Sequence, residues 1–192
     1  MSDFNGLEAL AKGAILSPFS RLARLLEGVP PGDEKVIEMT VGDPNEAMPE
    51  FVVDRMAEAK RTLATYPKIW GSDDLRGAIA AWLERRYGLK GKVDPAREIL
   101  PTNGSREGLF YAAIPAVGRK RVNGRPVILL VNPYYHSYLG SVYATNCEPY
   151  FLNATEETGH LPDLDSLEKE TEILTRTVAF YLCSPANPQG AA

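Results

Sequence analysis

The spacing of apolar residues changes along the chain, from helical spacing in the first two thirds to continuous runs in the last third. The segment SDDLRGAIAAWLERRYG (72–88) predicts a helix that Ser72 caps and Gly88 ends. Its two leading aspartates suit the positive end of a helix dipole. The predicted apolar face consists of Leu75, Ile79, Trp82 and Leu83.

Other segments before residue 120 also have the features of helices. Residues 17–28 predict a short helix with Ser17 as N-cap, Pro18 in the first turn and Gly28 as the stop. Further helices are predicted from Pro49 onward and over 105–118. Between them, VIEMTVGDPN (36–45) predicts a short strand that runs into a turn.

Three continuous apolar runs follow: RPVILLVNP (125–133), CEPYFLNA (147–154) and TRTVAFYLCSP (175–185). Continuous runs are typical of strands covered on both faces, as in a parallel sheet. Helices are predicted between them at 137–145 and 163–170. This alternation of strand and helix predicts an α/β fold with right-handed crossovers.

Composition excludes several classes of protein. The chain has 192 residues and a net charge of −4 without a basic block, which argues against a nucleic-acid-binding protein. The longest aliphatic run, VILLV (127–131), is too short to cross a membrane, and the N-terminus has no apolar signal core. Cys147 and Cys183 are predicted to be buried free thiols in a reducing compartment. These features predict a cytoplasmic protein.

The first candidate site is TNGSREGLF (102–110). Gly104 before a helix start would let an anion approach the backbone N–H groups, with Ser105 and Arg106 as further ligands. The alternative is a plain helix cap, in which Ser105 caps and Glu107 occupies the first turn.

Two further candidates follow strands. NPYYHSY (132–138) carries aromatic rings that could stack on a flat heterocycle, or simply pack with their hydroxyls at the surface. In SPANPQG (184–190), Asn187 lies between two prolines and could donate a hydrogen bond to a ligand oxygen, or only form a turn. His136 has no neighbouring ligand residues, so no metal site is predicted.

The order of these motifs is more specific than any of them alone. Gly42-Asp43-Pro44, then Tyr66 ahead of the helix at 72–88, then the three candidate segments, resembles the class I/II (fold-type I) aminotransferases, which depend on pyridoxal 5′-phosphate (PLP). The resemblance covers about residues 36 to 190. PTNGSRE together with FYLCSPANPQG is most similar to the succinyldiaminopimelate aminotransferase branch.

The resemblance implies cofactor contacts. The backbone around Gly104, Ser105 and Arg106 would hold the PLP phosphate. Tyr135 matches the aromatic residue that stacks on the pyridine ring. Asn187 matches the asparagine that hydrogen-bonds the 3′-oxygen.

It also implies a fold and an assembly. The fold would be a three-layer αβα sandwich with a mostly parallel sheet, incomplete in this chain. Residues 1–48 would form an N-terminal arm and small-domain segment, and 49–192 the first part of the PLP-binding large domain. Gly42 would lie beside the substrate carboxylate, and Tyr66 would reach the phosphate of the other subunit of a homodimer. Arg76 is interpreted as structural.

The sequence departs from the family in one important way. The Schiff-base lysine, the aspartate facing the pyridine nitrogen, a tyrosine near the 3′-oxygen and the substrate-binding arginine all follow the NPxG turn in the family. No lysine of this chain matches the family's Ser-x-x-Lys context; the lysines are at 12, 35, 60, 68, 90, 92, 120 and 169. We therefore expect no transaminase activity from the 192 residues alone, and an unpaired sheet edge.

Three functional hypotheses remain. In the first, the chain is part of an aminotransferase that moves an amino group between an amino acid, such as N-succinyl-diaminopimelate, and a 2-oxo acid. In the second, it is a non-catalytic module from a truncated paralogue that binds PLP or an anion, or pairs with a longer subunit. In the third, the same fold serves a PLP lyase or decarboxylase.

Overall fold

A computed structural model describes residues 5–12, 18–30, 32, 37, 39, 42, 44 and 46–192. The chain forms two compact units, one of Met1–Pro30 with Asn103–Ala192 and one of Pro31–Thr102. The domain boundary predicted between residues 48 and 49 concerns the longer family fold, and it stays a prediction beside this division.

The first unit is built on a parallel sheet of three strands in the order β2-β1-β3. The strands are β1 (Val127–Asn132), β2 (Glu148–Asn153) and β3 (Thr177–Tyr181). Each lies within one of the three continuous apolar runs, so the predicted α/β fold with a parallel sheet is confirmed. The sheet order requires the chain to cross over between strands, and helices make those crossings.

The central strand β1 explains why its sequence does not alternate. Ile128 and Leu130 are completely buried in one core cluster, with Ala113, Tyr138, Val142 and Cys147. Val127 and Leu129 face the opposite cluster, with Leu152, Leu167 and Ile173. Both faces are therefore covered, and each buried aliphatic side chain contributes about 1.5–3 kcal/mol to stability.

Each predicted helical segment contains a described helix. The described helices are α1 (Gly6–Ala11), α2 (Pro18–Leu25), α3 (Glu50–Glu58) with a 3-10 turn at Ala59–Ala64, α4 (Asp73–Tyr87), α5 (Ser105–Arg119), α6 (Ser137–Ala144), α7 (Leu164–Glu168) and α8 (Thr171–Arg176). Two short helices, α1 and α8, were not predicted. The helix predicted at 163–170 is the shorter α7, which Asp163 caps through a bond from the Ser166 N–H (3.0 Å). The second short helix, α8, follows outside the predicted segment. Helix α1 packs on α6.

The unit of residues 31–102 contains α3, the 3-10 turn and α4. The predicted caps of α4 are confirmed: the Ser72 hydroxyl accepts from the Leu75 N–H at 3.1 Å, and Gly88 has a φ of 66°. The predicted apolar face is only partly covered, because Leu75 and Trp82 are 47% and 49% exposed.

Some predictions fall on residues outside the described ones. Ser17, and Asp43 and Asn45 of the predicted turn, belong to this group, and the described positions within 36–45 are not in a strand. One prediction is wrong. Cys147 is fully buried, but Cys183 is exposed because the chain has already left β3 and entered a turn. Among the described residues no helix is long and apolar enough to cross a membrane.

Candidate functional site

The site is built on the start of α5. Gly104 is the N-cap residue, Ser105 is the first residue of the helix, and no side chain caps the end. The alternative in which Ser105 is the cap is therefore wrong, although Glu107 does occupy the first turn. A Cβ placed on Gly104 would meet no atom within 4 Å. The first-turn N–H groups of a helix and the positive end of its dipole favour an anion, and the position beside the Gly104 Cα is open.

Arg106 in the first turn of α5 contacts the aromatic segment after β1. Its Nε donates a hydrogen bond of 3.0 Å to the Tyr135 hydroxyl, and its guanidinium carbon lies 6.0 Å from the centre of the Tyr135 ring. Hydrogen bonds from Ser137 and then from Arg106 lower the pKa of Tyr135. The helix start and the aromatic segment therefore form one polar cluster.

A cavity of about 580 Å³ opens at the carboxyl ends of β1 and β3. Both its position and its size are typical of ligand sites in α/β proteins. Tyr135 and Asn187 line it together, so the structure brings these two predicted residues to one place. The loop 157–165 forms another wall, which the polar sequence of that loop does not indicate. The cavity lining does not include Gly104, Ser105 or Arg106. Arg106 is connected to the cavity through its hydrogen bond to Tyr135.

The turn that carries Asn187 is fixed by backbone hydrogen bonds on both sides of it. The Gly190 N–H donates to the Ala186 carbonyl at 2.6 Å, and the Ala186 N–H donates to the Ala191 carbonyl at 2.7 Å. Gly190 has a φ of 76°, a left-handed conformation that favours glycine. Asn187 itself is exposed. The closed turn therefore fixes the backbone that carries Asn187 at the cavity.

Sequence reasoning missed Tyr181, the last residue of β3. Its ring stacks on the buried Tyr138 ring, with centroids 4.6 Å apart and planes 8° from parallel. Its hydroxyl donates to the Leu109 carbonyl at 2.6 Å and lies 3.0 Å from the Ser141 hydroxyl. Burial raises the pKa of Tyr138. The available signal was an aromatic residue that ends a strand directly before a proline-rich turn.

The remaining predicted residues are placed elsewhere. Gly42 and Tyr66 belong to the unit of residues 31–102, where the Tyr66 side chain is fully exposed. Their roles stay predictions. His136 makes edge contacts with the rings of Phe19 (6.0 Å) and Tyr135 (4.9 Å). No group of three potential metal ligands exists among the described residues.

Comparison with known protein sequences shows the family to which the chain belongs. The sequence model described as Aminotransferase class I and II matches residues 34–192. An LL-diaminopimelate aminotransferase from Syntrophobacter fumaroxidans is 30% identical over 175 residues, which are 90% of this chain and 43% of that protein. The chain therefore spans less than half the length of this curated relative.

Solved structures of aminotransferases are also similar to this chain. An aminotransferase from Neisseria meningitidis superimposes with a TM-score of 0.80 at 33% identity, over 91% of this chain and 43% of the other. The N-succinyldiaminopimelate aminotransferase of Mycobacterium tuberculosis superimposes with a TM-score of 0.63 at 30% identity, over 79% of this chain and 38% of the other.

Proposed function

The chain belongs to the class I and II aminotransferases, a PLP-dependent family, and from this premise we propose that its protein transfers an amino group from an amino acid to a 2-oxo acid. The observation that carries the proposal is the hydrogen bond between Arg106 and Tyr135. It joins the start of α5, the candidate phosphate site, to the aromatic wall of the cavity. PLP has the corresponding parts, a phosphate attached to a flat ring.

The residues present fit this cofactor. No neighbouring atom lies within 4 Å of where a Gly104 Cβ would be, so no side chain blocks the approach of an anion at that position. The first-turn N–H groups of α5 supply donors, and Arg106 supplies a positive charge. Tyr135 lines the cavity as a ring of suitable size for stacking, and Asn187 lines the same cavity with an amide.

Each residue would have a distinct task. PLP, when bound, supplies the electron sink for the reaction. The N–H groups after Gly104, with Ser105 and Arg106, would hold its phosphate. Tyr135 would fix the plane of the ring and exclude water from one face. Asn187 would donate a hydrogen bond to the 3′-oxygen.

The substrate proposal is finer. We infer that the amino donor is a diaminopimelate derivative, with N-succinyl-diaminopimelate as the first candidate, in amino-acid biosynthesis. The support is similarity to relatives whose names contain LL-diaminopimelate and N-succinyldiaminopimelate. Gly42 would lie beside the substrate carboxylate, and Tyr66 would contact the phosphate of a second subunit in a homodimer.

We also propose that the 192 residues alone do not catalyse transamination. In the unit that holds the cavity, the lysines at 12, 120 and 169 are absent from its lining. Lys120 instead donates to the Thr177 carbonyl at 2.8 Å, where β3 begins. The absence of these lysines from the cavity lining is equally compatible with the alternative, a non-catalytic module that binds PLP or another anion. A PLP lyase would also need residues that this chain does not supply.

The test combines cofactor binding and turnover. The purified 192-residue protein is titrated with PLP and with inorganic phosphate, then assayed with N-succinyl-diaminopimelate, LL-diaminopimelate and a 2-oxo acid acceptor. We expect saturable PLP binding that phosphate competes with, and no amino transfer. A protein that does not bind PLP contradicts the cofactor site, and turnover by these residues contradicts the inactivity proposal. Sequencing the DNA beyond codon 192 tests the remaining alternative. An open reading frame that encodes a Ser-x-x-Lys stretch supports a longer enzyme, and an early stop codon supports a truncated module.

A further inference from the structure

Tyr181 joins its own strand to two other segments that the proposed cofactor site depends on. Tyr181 ends β3, the strand that leads into the turn with Asn187. Its hydroxyl bonds to the Leu109 carbonyl (2.6 Å), about one helical turn after the start of α5. It also contacts Ser141 (3.0 Å) in α6, the helix that follows Tyr135.

Two hydroxyl protons serve three contacts. The Tyr181 hydroxyl donates to the Leu109 carbonyl (2.6 Å), and the Ser141 hydroxyl lies 2.8 Å from the Tyr138 carbonyl and 3.0 Å from the Tyr181 oxygen. A carbonyl can only accept, so Ser141 shares its one proton between the Tyr138 carbonyl and the Tyr181 oxygen. Ser141 is fully buried and Tyr181 is half-buried, so water does not easily replace either bond.

We propose that Tyr181 is a positioning residue, whose hydroxyl holds the start of α5, the aromatic segment and the Asn187 turn at the separation that PLP requires. This inference rests on the proposed function. The stacked ring of Tyr138 fixes the Tyr181 ring, and Tyr138 in turn makes an edge contact of 5.6 Å with Tyr135. Tyr181 lines the cavity, but its hydroxyl is bonded to Leu109 and Ser141, so the hydroxyl acts on the positions of the segments that it joins.

This role predicts a difference between two probes. In the proposed site PLP would reach from the start of α5 to Asn187, whereas inorganic phosphate would occupy only the start of α5. Tyr181→Phe keeps the ring stack and removes the hydroxyl bonds. We expect its dissociation constant for PLP to rise about fivefold, the change that corresponds to one neutral hydrogen bond. The inhibition constant of phosphate against PLP binding should stay within about twofold of wild type.

The experiment measures both constants by equilibrium dialysis of the purified protein, well below its melting temperature. Tyr150→Phe is the matched control, because Tyr150 lies in β2 against the opposite core cluster and outside the cavity lining. Ser141→Ala removes the contact with the Tyr181 hydroxyl and the bond to the Tyr138 carbonyl but keeps the bond from Tyr181 to Leu109, so it should give the same pattern with a smaller change. It also tests the inference if Tyr181→Phe does not fold.

The outcomes are distinct. Weaker PLP binding with unchanged phosphate binding supports the positioning role. An equal loss for both probes means general loosening of the fold and overturns it, and so does unchanged PLP binding in a folded variant. If the wild-type protein does not bind PLP, the proposed function fails first.

Discussion

Arg106 donates a hydrogen bond of 3.0 Å to the hydroxyl of Tyr135, which is 29 residues later in the chain. One residue lies in the first turn of α5 and the other precedes α6, so the bond joins two segments that the sequence motifs present separately. The bond fixes the hydroxyl end of the Tyr135 ring, and the Arg106 guanidinium also lies 6.0 Å from the centre of that ring. The geometry agrees with a ring that stacks on a ligand whose phosphate is held nearby.

Tyr135 variants separate the ring from the hydroxyl. Tyr135→Phe keeps the stacking surface and loses the bond from Arg106, so we expect the PLP dissociation constant to rise about threefold to tenfold. Tyr135→Leu also loses the aromatic face, and we expect a further loss of about the same size. Equilibrium dialysis with PLP measures both. Tyr111→Phe, an exposed tyrosine of α5, is the control. Equal losses in the two Tyr135 variants would contradict a stacking role.

The second prediction concerns Asn187. Asn187→Ala removes the amide that the closed turn holds at the cavity. A hydrogen bond to a charged group contributes on the order of 1.5–3 kcal/mol, so PLP binding should weaken by about one to two orders of magnitude. In the complete enzyme, turnover should fall as well. Asn123→Ala, in the exposed loop before β1, is the control. Wild-type PLP affinity in Asn187→Ala would show that the residue only forms a turn.

The third prediction uses the open space at Gly104. Gly104→Ser places a good capping side chain at the N-cap, where its oxygen accepts from the first-turn N–H groups. Thermal stability should stay equal or rise by a few tenths of a kcal/mol, since Gly is itself a tolerated cap. Affinity for PLP and for phosphate should both fall, because the hydroxyl competes for the N–H groups. Unchanged binding of both anions would place the anion site elsewhere.

Gly118→Ser is the matched control for this variant. Gly118 is an exposed position near the end of the same helix, with open space around its Cα. We expect Gly118→Ser to leave the affinity for PLP and phosphate unchanged. A loss of affinity in Gly104→Ser alone would then be specific to the start of α5.

The strands and helices could be predicted because local signals and tertiary packing agree. The run VILLV has no polar position, and the structure buries both of its faces, as a continuous run requires. The caps Ser72 and Gly88 act within their own helix, so sequence alone was sufficient. The start of α5 was less certain, since Gly104 and Ser105 are both acceptable caps and only the structure shows which one is used.

The features that were missed depend on long-range contacts. Tyr181 meets Leu109 across 72 residues, and no local pattern indicates that pairing. Cys183 seemed buried because an apolar run precedes it, but its exposure depends on where the strand ends. Residues 157–165 are polar and turn-like, and they form a cavity wall only because β2 ends beside β1.

The fourth prediction concerns the two thiols. Burial raises the pKa of Cys147, whereas Cys183 is exposed. A disulfide-exchange reagent at pH 8 should modify one thiol within minutes in the native protein, and both in denaturant. Peptide mapping should identify the fast site as Cys183. Rapid native modification of Cys147 would contradict the buried packing of this residue.

The same shift gives a pH dependence with a defined sign. A thiol whose folded-state pKa is raised favours the neutral form in the native state. Its contribution to stability is complete below the unfolded pKa of about 8.5 and is lost as the pH rises through the folded value. Cys147→Ala should therefore lose less stability than wild type between pH 8 and pH 10. Urea unfolding at each pH measures the difference, and parallel curves would refute it.

The last prediction concerns the opposite end of the sheet, where Arg176 joins the beginnings of all three strands. Arg176 precedes β3, and its Nη1 donates to the Glu148 carboxylate in β2 and to the Arg125 carbonyl before β1, each at 2.7 Å. Its Nε donates to Glu172 at 2.6 Å. These carboxylates, Glu172 first and then Glu148, raise the pKa of Arg176, so it stays charged.

Arg176→Ala should lower the free energy of unfolding by about 2 kcal/mol, because the side chain is only 14% exposed and its loss leaves the half-buried Glu148 carboxylate without its closest cation. Arg119→Ala, at the exposed end of α5, should change stability by less than about 0.5 kcal/mol. Urea denaturation measures both. Because Arg176 lies at the amino ends of the strands and the cavity at the carboxyl ends, PLP affinity should not change while the variant is folded. A variant that loses PLP affinity and keeps its stability would contradict this separation.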